Sequence, residues 1–376
     1  MTILVTACGG ALIVMVLWEG FETIILPRRV TRRFRLTRLF YRGTWLPWRT
    51  LVGMLPARRQ ETWLSFFGPL SLLALLTMWA LGLIIGFALL HWSVGSIVTT
   101  QGPNSGFLTD LYLSATTFIT LGLGDAVPVT GLSRFLVVIE SGMGFGFLAL
   151  VIGYMPPLNQ TFSRREVSIS LLDARAGSPP TAGQMLSRHG YPHGMDALRE
   201  LLHEWEIWSA DFLEGHLSYP ILAYFRSQHD NQSWLGALTA ILDTCALVMA
   251  GVEGFCERQA ELTFAMARHA LVDLSLVFRT RPRKGRHDRL PPEKLAELME
   301  ALSRSGIKLK DGPAEQRLTE LRRMYEPYVE ALASYFHLKV PRWMPDERRV
   351  DNWQASSWER ESASTAPVES GRGSHF

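Results

Sequence analysis

The stretch that most constrains the fold covers residues 64–92, which contain no Asp, Glu, Lys or Arg. A helix rises about 1.5 Å per residue and the hydrocarbon core of a bilayer is about 30 Å thick, so this run is long enough to cross a membrane. Trp63 and Trp92 stand at its two ends, and tryptophan is enriched at membrane interfaces. We therefore predict a transmembrane helix over 64–92.

Two other apolar runs predict further transmembrane helices. Residues 1–26 hold Glu19 and Glu22 as their charged residues, and residues 134–158 hold one acidic residue, Glu140. The last run is expected to end at its Pro-Pro pair. A secretory signal peptide is the alternative for the first run, but no basic stretch precedes it and no small-residue cleavage pattern follows it. A hydrophobic content of 47% also favours a protein that lies partly in a membrane.

The segment 27–63 is strongly basic, with ten arginines. Short loops rich in arginine stay in the cytoplasm, so we expect a multi-pass protein of the plasma or inner membrane, with its N-terminus outside and its C-terminus cytoplasmic. Four arginines recur at every third position: Arg29, Arg32, Arg35 and Arg38. We interpret them as one face of a helix that lies on the anionic inner leaflet. A solvated basic loop is one alternative; a voltage sensor is another, which a single preceding span disfavours.

Between the second and third spans lies a segment too short to cross the membrane as a helix. Residues 93–108 are rich in turn-forming residues, a helix is predicted over 110–119, and residues 120–125 read Thr-Leu-Gly-Leu-Gly-Asp. Non-helical backbone at membrane depth is tolerated only where it is buried in protein or lines a cavity. Glycine permits backbone conformations that a β-carbon disfavours, so carbonyl oxygens can face an axis and replace the water shell of an ion. A re-entrant loop in a non-conducting protein is the alternative.

The order of these features resembles the pore module of the potassium channel superfamily, of the prokaryotic two-transmembrane pore-loop type. The resemblance covers about 64–158 and rests on the outer span, the short pore helix, the Thr-x-Gly-x-Gly-Asp motif, Pro128 and a glycine-bearing last span. This chain adds an N-terminal transmembrane helix. The resemblance implies a filter whose carbonyl oxygens bind monovalent cations. The implied filter residues are Thr120, Leu121, Gly122, Leu123 and Gly124.

The resemblance also implies roles for residues around the filter. Asp125 would lie at the outer mouth and favour cations, and Gly144 would act as a gating hinge in the last span. Tyr112, Thr116 and Glu140 would support the filter and the pore helix. For Glu140, a buried structural carboxylate and a gating role both stay open.

The second half of the chain predicts helices outside the membrane. We expect a linker over 159–194, a cytoplasmic helical domain over 195–345 and a disordered tail over 346–376, because Gly, Pro and Ser cluster between periodic apolar stretches. The predicted helices cover 195–213, 217–228, 232–279, 292–304 and 314–338. One run, 234–251, is nearly apolar enough for a span, but Asp243 interrupts it, which indicates a buried helix of a soluble bundle.

Motifs for metal binding and catalysis are weak. His189 and His193 lie in a Gly- and Pro-rich stretch without further ligands nearby, so we expect a surface loop there. Trp205, Trp208 and Trp234 are expected in the core. No paired carboxylates and no nucleophile with its base are recognisable. We therefore predict no enzyme and no cofactor, with K⁺ as a permeant ion.

These features together predict an all-α membrane protein: a homotetrameric channel that conducts K⁺ passively and is gated by its cytoplasmic helices. Two alternatives stay open. Leu123 replaces the Tyr or Phe that is usual in the family. Leucine cannot make the hydrogen bond that the hydroxyl of tyrosine would make around the filter, which favours a weakly selective monovalent cation channel. A non-conducting, membrane-anchored scaffold or signalling protein would use the module only to assemble. The expected partners are anionic lipid, further copies of the chain and an unidentified cytoplasmic ligand or protein, without nucleic acid.

Overall fold

The computed structural model describes residues 2–26, 35–95, 97–99, 106–229, 231–254, 256–285, 287–310 and 314–345. The chain is an all-α membrane protein. It divides into two compact units, the first from Met1–Ser163 with Gly215–Arg226, and the second from Arg164–Glu214 with Ser227–Phe376. Arg29, Arg32 and the predicted tail over 346–376 lie outside the described residues.

Among the described residues, all or part of three helices in the first unit are long and apolar enough to cross a membrane, judged by length and composition. Its helices are α1 (Thr2–Gly20), a π-helical turn (Phe21–Ile25), α2 (Leu36–Gly53), α3 (Ala57–Val94), α4 (Phe107–Phe118) and the first part of α5 (Gly131–Ala176). Two short strands, β1 (Ile97–Thr99) and β2 (Ala126–Pro128), pair antiparallel. The strand pair joins the chain after α3 to the chain before α5.

Glycines allow α1 to pack closely along α3. A β-carbon on Gly9 would lie 2.8 Å from the carbonyl oxygen of Gly86, and one on Gly86 would lie 2.6 Å from Ile13 Cγ1. One on Gly82 would lie 2.9 Å from Val16 Cγ2. Small residues permit such close approach between membrane helices, where packing replaces the hydrophobic effect as the driving force. The N-terminal helix is therefore packed against the outer helix of the pore module.

Two acidic residues, one at the end of α1 and one in the π-helical turn after it, contact the start of α2. Glu19 is fully buried and accepts hydrogen bonds from the backbone N–H groups of Leu36, at 3.0 Å, and Thr37, at 3.2 Å. A helix N-terminus leaves these donors without intrahelical partners, so the Glu19 carboxylate caps α2 and interacts favourably with its dipole. Glu22 lies 3.8 Å from Arg35 and forms an ion pair with it.

The last transmembrane helix extends beyond its predicted end. α5 continues through Pro156 and Pro157, whereas the sequence predicted an end at 158 and a linker over 159–194. A proline removes one backbone donor and bends a helix, but the helix can continue where packing stabilises the next turns. Here Ile169 and Leu172 are buried on the extension, so their packing outweighs the proline penalty.

The second unit is a helical bundle built around α8. Its helices are the end of α5, α6 (Ala182–Arg188), most of α7 (Gly194–Ser218), α8 (Trp234–Gly251), α9 (Glu257–Phe278), α10 (Pro292–Arg304) and α11 (Ala314–Phe336). α8 is also long and apolar enough for a span, but its side chains are almost all buried, and it packs against α6, α9 and α11. Trp205, Trp208 and Trp234 are buried in this core.

A buried ionic cluster connects α8 to later parts of the bundle. Asp243 is fully buried and accepts hydrogen bonds from Arg289 Nη1, at 3.2 Å, and from the Tyr325 hydroxyl, at 2.5 Å. Arg289 also lies 3.1 Å from Glu326, and its guanidinium lies 5.6 Å from the centre of the Trp343 ring. Burial opposes the charge on Arg289, but the Asp243 carboxylate outweighs it and holds the pKa of Arg289 above its usual value.

Replacing Asp243 by alanine should destabilise the second unit strongly. The change leaves the buried Arg289 charge without its main partner, which costs about 3–5 kcal/mol in comparable cases. The control, Glu297→Ala, removes an exposed contact of 2.7 Å with Lys294 and should cost less than about 1 kcal/mol. Thermal unfolding and limited proteolysis of the purified chain measure both effects. Equal stability of the two variants would contradict this account of the cluster.

Candidate ion-conduction site

The residues predicted to form a filter follow directly after α4, the pore helix. α4 begins at Phe107 with Gly106 as its N-cap, earlier than the predicted start at residue 110, and ends before Ile119. Asp110 lies in its first turn. An acidic residue interacts favourably with the helix dipole from the first turn as well as from the N-cap, so the sequence did not distinguish the two positions.

The backbone after α4 takes left-handed conformations at alternate residues. Thr120, Gly122 and Gly124 have φ angles of 58°, 53° and 75°. This region costs glycine little, but it is unfavourable for a β-branched residue such as threonine. Strain of this kind is found at functional sites, where the surrounding structure holds it in place. Such alternation can direct successive carbonyl oxygens to one side, as an ion site made of backbone oxygens requires.

Hydrogen bonds tie both ends of this segment to the pore helix. The Thr116 carbonyl accepts from the N–H of Leu121 at 2.7 Å, and the Thr116 hydroxyl donates to the carbonyl of Tyr112 at 2.9 Å. The Tyr112 hydroxyl donates to Asp125 Oδ2 at 2.9 Å. The structure thus brings Tyr112, Thr116 and Asp125 together around the predicted filter.

Glu140 lies in a buried polar network beside the pore helix. The Ser114 hydroxyl contacts its Oε1, and His91 Nε2 lies 3.1 Å from its Oε2. His91 Nδ1 lies 3.2 Å from the hydroxyl of Ser133. All four of these residues are fully buried. The network therefore joins α3 through His91, α4 through Ser114, and α5 through Ser133 and Glu140.

No sequence motif singled out His91, Ser114 or Ser133 as a site residue. One pattern in the sequence indicates His91: it is a polar residue at the end of an otherwise apolar span, and Glu140 interrupts another such span. Polar side chains within spans pair with one another, since lipid offers them no hydrogen-bond partners. Pairing of these two residues depends, however, on the relative depth of two helices, and the spacing along one chain does not fix that depth.

Gly144 lies where α5 passes the end of the pore helix. A β-carbon there would lie 1.9 Å from the carbonyl oxygen of Phe118 and 2.8 Å from its carbonyl carbon. Among the described residues, nothing lies within 4 Å of the same position on Gly142 or Gly146. Close packing against α4 therefore requires glycine at residue 144, whether or not the helix also bends there.

Other residues singled out in the sequence lie elsewhere. The predicted helical face is wrong for Arg35, which precedes α2 with an extended backbone and pairs with Glu22, whereas Arg38 is half-buried on α2. The predicted surface position is wrong for His189, which follows directly after α6 and is buried, with its Nδ1 2.7 Å from the carbonyl oxygen of Met185 in that helix, whereas His193 is exposed. Within the described ranges, no group of three or more His, Cys, Asp or Glu side chains is arranged to hold a metal ion.

Two long membrane helices, a short pore helix between them and a left-handed glycine-rich turn define the pore module of an ion channel. Residues 74–156 match the family model described as "Ion channel". Protein LctB from Bacillus caldotenax is 32% identical over 93 residues, which cover 22% of this chain and 69% of that protein. No solved structure is significantly similar to the chain. The chain belongs to this ion channel family, within the potassium channel superfamily.

Gly144→Ala should destabilise the membrane unit, because its methyl group would overlap the backbone at the end of the pore helix. Overpacking typically costs about 1–3 kcal/mol, and a backbone neighbour yields less than a side chain. Gly142→Ala and Gly146→Ala are the matched controls. They should be neutral or stabilising by up to about 1 kcal/mol, since alanine favours a helix. Thermal unfolding in detergent compares the three variants, and similar midpoints for all three would contradict the packing role.

Proposed function

We propose that four copies of this chain assemble around one axis and conduct K⁺ passively through a filter formed by residues 120–124. The observation that carries the proposal is the left-handed backbone at Thr120, Gly122 and Gly124, directly after a short helix in the pore module. Backbone carbonyls in such a segment can replace the hydration shell of a monovalent cation, and the Thr120 hydroxyl adds a further oxygen.

Side-chain exposure in the single chain supports an assembly. Leu121 and Leu123 are exposed by 54% and 63%, and Phe145 on α5 by 70%. Irregular backbone cannot face lipid, because its amide and carbonyl groups would lack partners. The surface around the filter therefore needs protein neighbours or an aqueous path. One chain supplies one wall of that path, and four related chains close it.

A weakly selective monovalent cation channel is the second candidate, and the side chain at residue 123 favours it. The side chain of Leu123 cannot form a hydrogen bond, so it does not hold the filter to its surroundings through a polar contact. The bond between Tyr112 and Asp125 holds the outer end of the segment instead. Selectivity then depends on how firmly the pore helix positions the filter.

The basic segment before α3 supports a proposal for the membrane orientation and for lipid contact. We propose that the N-terminus is outside and the C-terminus cytoplasmic, because the arginine-rich segment favours the cytoplasmic side. Leu39, Leu46 and Leu51 on α2 are exposed by 50%, 43% and 64%. An amphipathic helix with exposed leucines and neighbouring arginines suits the surface of an anionic inner leaflet.

We further propose that the cytoplasmic helices gate the pore through residues 215–226, in response to an unidentified ligand or protein. This segment of the second half of the chain belongs to the first compact unit. The Tyr224 ring lies 5.4 Å from that of Tyr41 and 5.2 Å from that of Trp45, both on α2. It also lies 5.2 Å from the ring of Phe67 on α3.

The same segment contacts the last transmembrane helix. Tyr219 lies 5.4 Å from Tyr154, and Phe225 lies 5.7 Å from Phe162, measured between ring centres. Arg226, whose side chain is buried, forms an ion pair of 3.2 Å with Glu61 on α3. Residues 215–226 thus touch α2, α3 and α5 at once. A displacement of this segment would change the packing between the outer and the last transmembrane helix.

Ion flux tests the conduction proposal. Purified protein in liposomes should pass K⁺ down its gradient, and Thr120→Ala or Gly122→Ala should reduce that flux at least tenfold, because each change disturbs the filter backbone or its oxygen ligands. The controls are Thr77→Ala, at an exposed position of α3, and Gly10→Ala, where a β-carbon meets nothing among the described residues.

Equal flux in all variants would contradict the filter assignment. A reversal potential that does not move when Na⁺ replaces K⁺ would favour the weakly selective channel. Absence of any flux, together with a specific cytoplasmic partner, would favour the scaffold alternative.

Tyr224→Ala should change open probability about fivefold or more without changing the ratio of Na⁺ to K⁺ permeability. The lost aromatic contacts are worth about 0.5–1.5 kcal/mol each, and about 1 kcal/mol of coupling corresponds to about fivefold. Tyr191→Ala, at a tyrosine 54% exposed in the second unit, is the control. Single-channel recording in planar bilayers measures both quantities. An open probability equal to that of the wild type would contradict the coupling role.

A further inference from the structure

His91 is a buried polar residue of the membrane unit to which the proposed function gives no role. It is fully buried near the C-terminal end of α3, one turn before the helix ends at Gly95. A buried polar group in a membrane is costly unless its hydrogen-bonding capacity is used. Both ring nitrogens of His91 have partners, Ser133 at 3.2 Å and Glu140 at 3.1 Å.

One of the two oxygens of the Glu140 carboxylate has His91 as its hydrogen-bonding partner. Oε1 contacts the Ser114 hydroxyl on the pore helix, and Oε2 faces His91 Nε2. Ser114 also lies 2.7 Å from the carbonyl oxygen of Ile84 on α3. Asp110, in the first turn of the pore helix, is a further buried acidic group. The pore helix is thus connected to both neighbouring helices through one carboxylate.

This connection lies close to the start of the filter segment. Ser114 is two residues before Thr116, whose carbonyl accepts the hydrogen bond from the N–H of Leu121. A rotation of α4 that broke the contact between Ser114 and Glu140 would also move Thr116. Because the side chains of Leu121 and Leu123 donate no hydrogen bonds, the filter depends strongly on the position of the pore helix.

We propose that His91 is a positioning residue for the filter: its Nε2 holds the Glu140 carboxylate against Ser114 and thereby fixes the pore helix. This inference rests on the proposed function, because it assigns His91 to the same filter. It differs from a role in stability alone, since a well-packed apolar replacement of the pair could restore folding without restoring the Ser114 contact.

Substitutions at residue 91 distinguish the roles of the two ring nitrogens of His91. The side-chain amide nitrogen of glutamine can occupy the place of Nε2, whereas asparagine reaches only the place of Nδ1. We expect His91→Leu and His91→Asn to raise the ratio of Na⁺ to K⁺ permeability about fivefold or more, and His91→Gln to stay near the wild type. Ser71→Ala is the control, because Ser71 is buried on the same helix and bonds to the Gly68 carbonyl.

The double variant His91→Leu/Glu140→Leu distinguishes a role of His91 in positioning the filter from a role in stability alone. Replacing both partners by apolar side chains should bring the unfolding temperature back toward that of the wild type, while the permeability ratio stays raised. Reversal potentials in planar bilayers and thermal unfolding in detergent provide the two readouts on the full chain. If the wild type already passes both ions equally, the readout is single-channel K⁺ conductance, which should fall about fivefold.

Wild-type permeability and conductance in a folded His91→Leu, or their full recovery in the double variant, would overturn the role of His91. If His91→Leu does not fold, the comparison of His91→Asn with His91→Gln tests the role of His91 instead. Equal behaviour of these two variants would also overturn that role. A wild-type chain that passes no cation current would contradict the proposed function itself. A wild-type current that His91→Asn leaves unchanged would contradict this inference alone.

Discussion

A non-helical backbone segment within a membrane has amide and carbonyl groups that lipid cannot satisfy, and the structure around residues 120–124 follows from that constraint. The pore helix satisfies one of these groups, because the Thr116 carbonyl accepts a hydrogen bond from the N–H of Leu121. The alternating left-handed residues allow the carbonyl oxygens to face the proposed aqueous axis instead of lipid. The surrounding helices must then hold the pore helix in one position.

Two kinds of contact hold the pore helix in position, and they act differently. Gly144 brings the backbone of α5 close to the Phe118 carbonyl, and this approach sets the distance between the two helices. Hydrogen bonds of Glu140 with Ser114 and His91 are directional, so they restrict the rotation of the pore helix about its axis. α1 packs on α3 through Gly9 and its neighbours and thereby supports the outer helix.

Local patterns in the sequence predicted the membrane helices and the glycine-rich turn, because absence of charge and the conformational freedom of glycine are properties of short stretches. Predictions from local patterns failed where tertiary packing determines the structure. α5 continues through Pro156 and Pro157 because its later turns pack in the second unit. The pairing of His91 with Glu140 and the membership of 215–226 in the first unit depend on contacts between distant parts of the chain. No spacing rule encodes such contacts.

The contacts of the proposed filter and those of the proposed gate lie at different positions along α5. A bend at Gly144 would disturb its close contact with Phe118 and therefore the pore helix. The proline pair lies further along, between Tyr154 and Phe162, which both contact residues 215–226. Each proline removes one backbone donor, so the helix bends there at lower cost. A gating movement at the proline pair would thus leave the contacts of the filter in place, whereas a hinge at Gly144 would not.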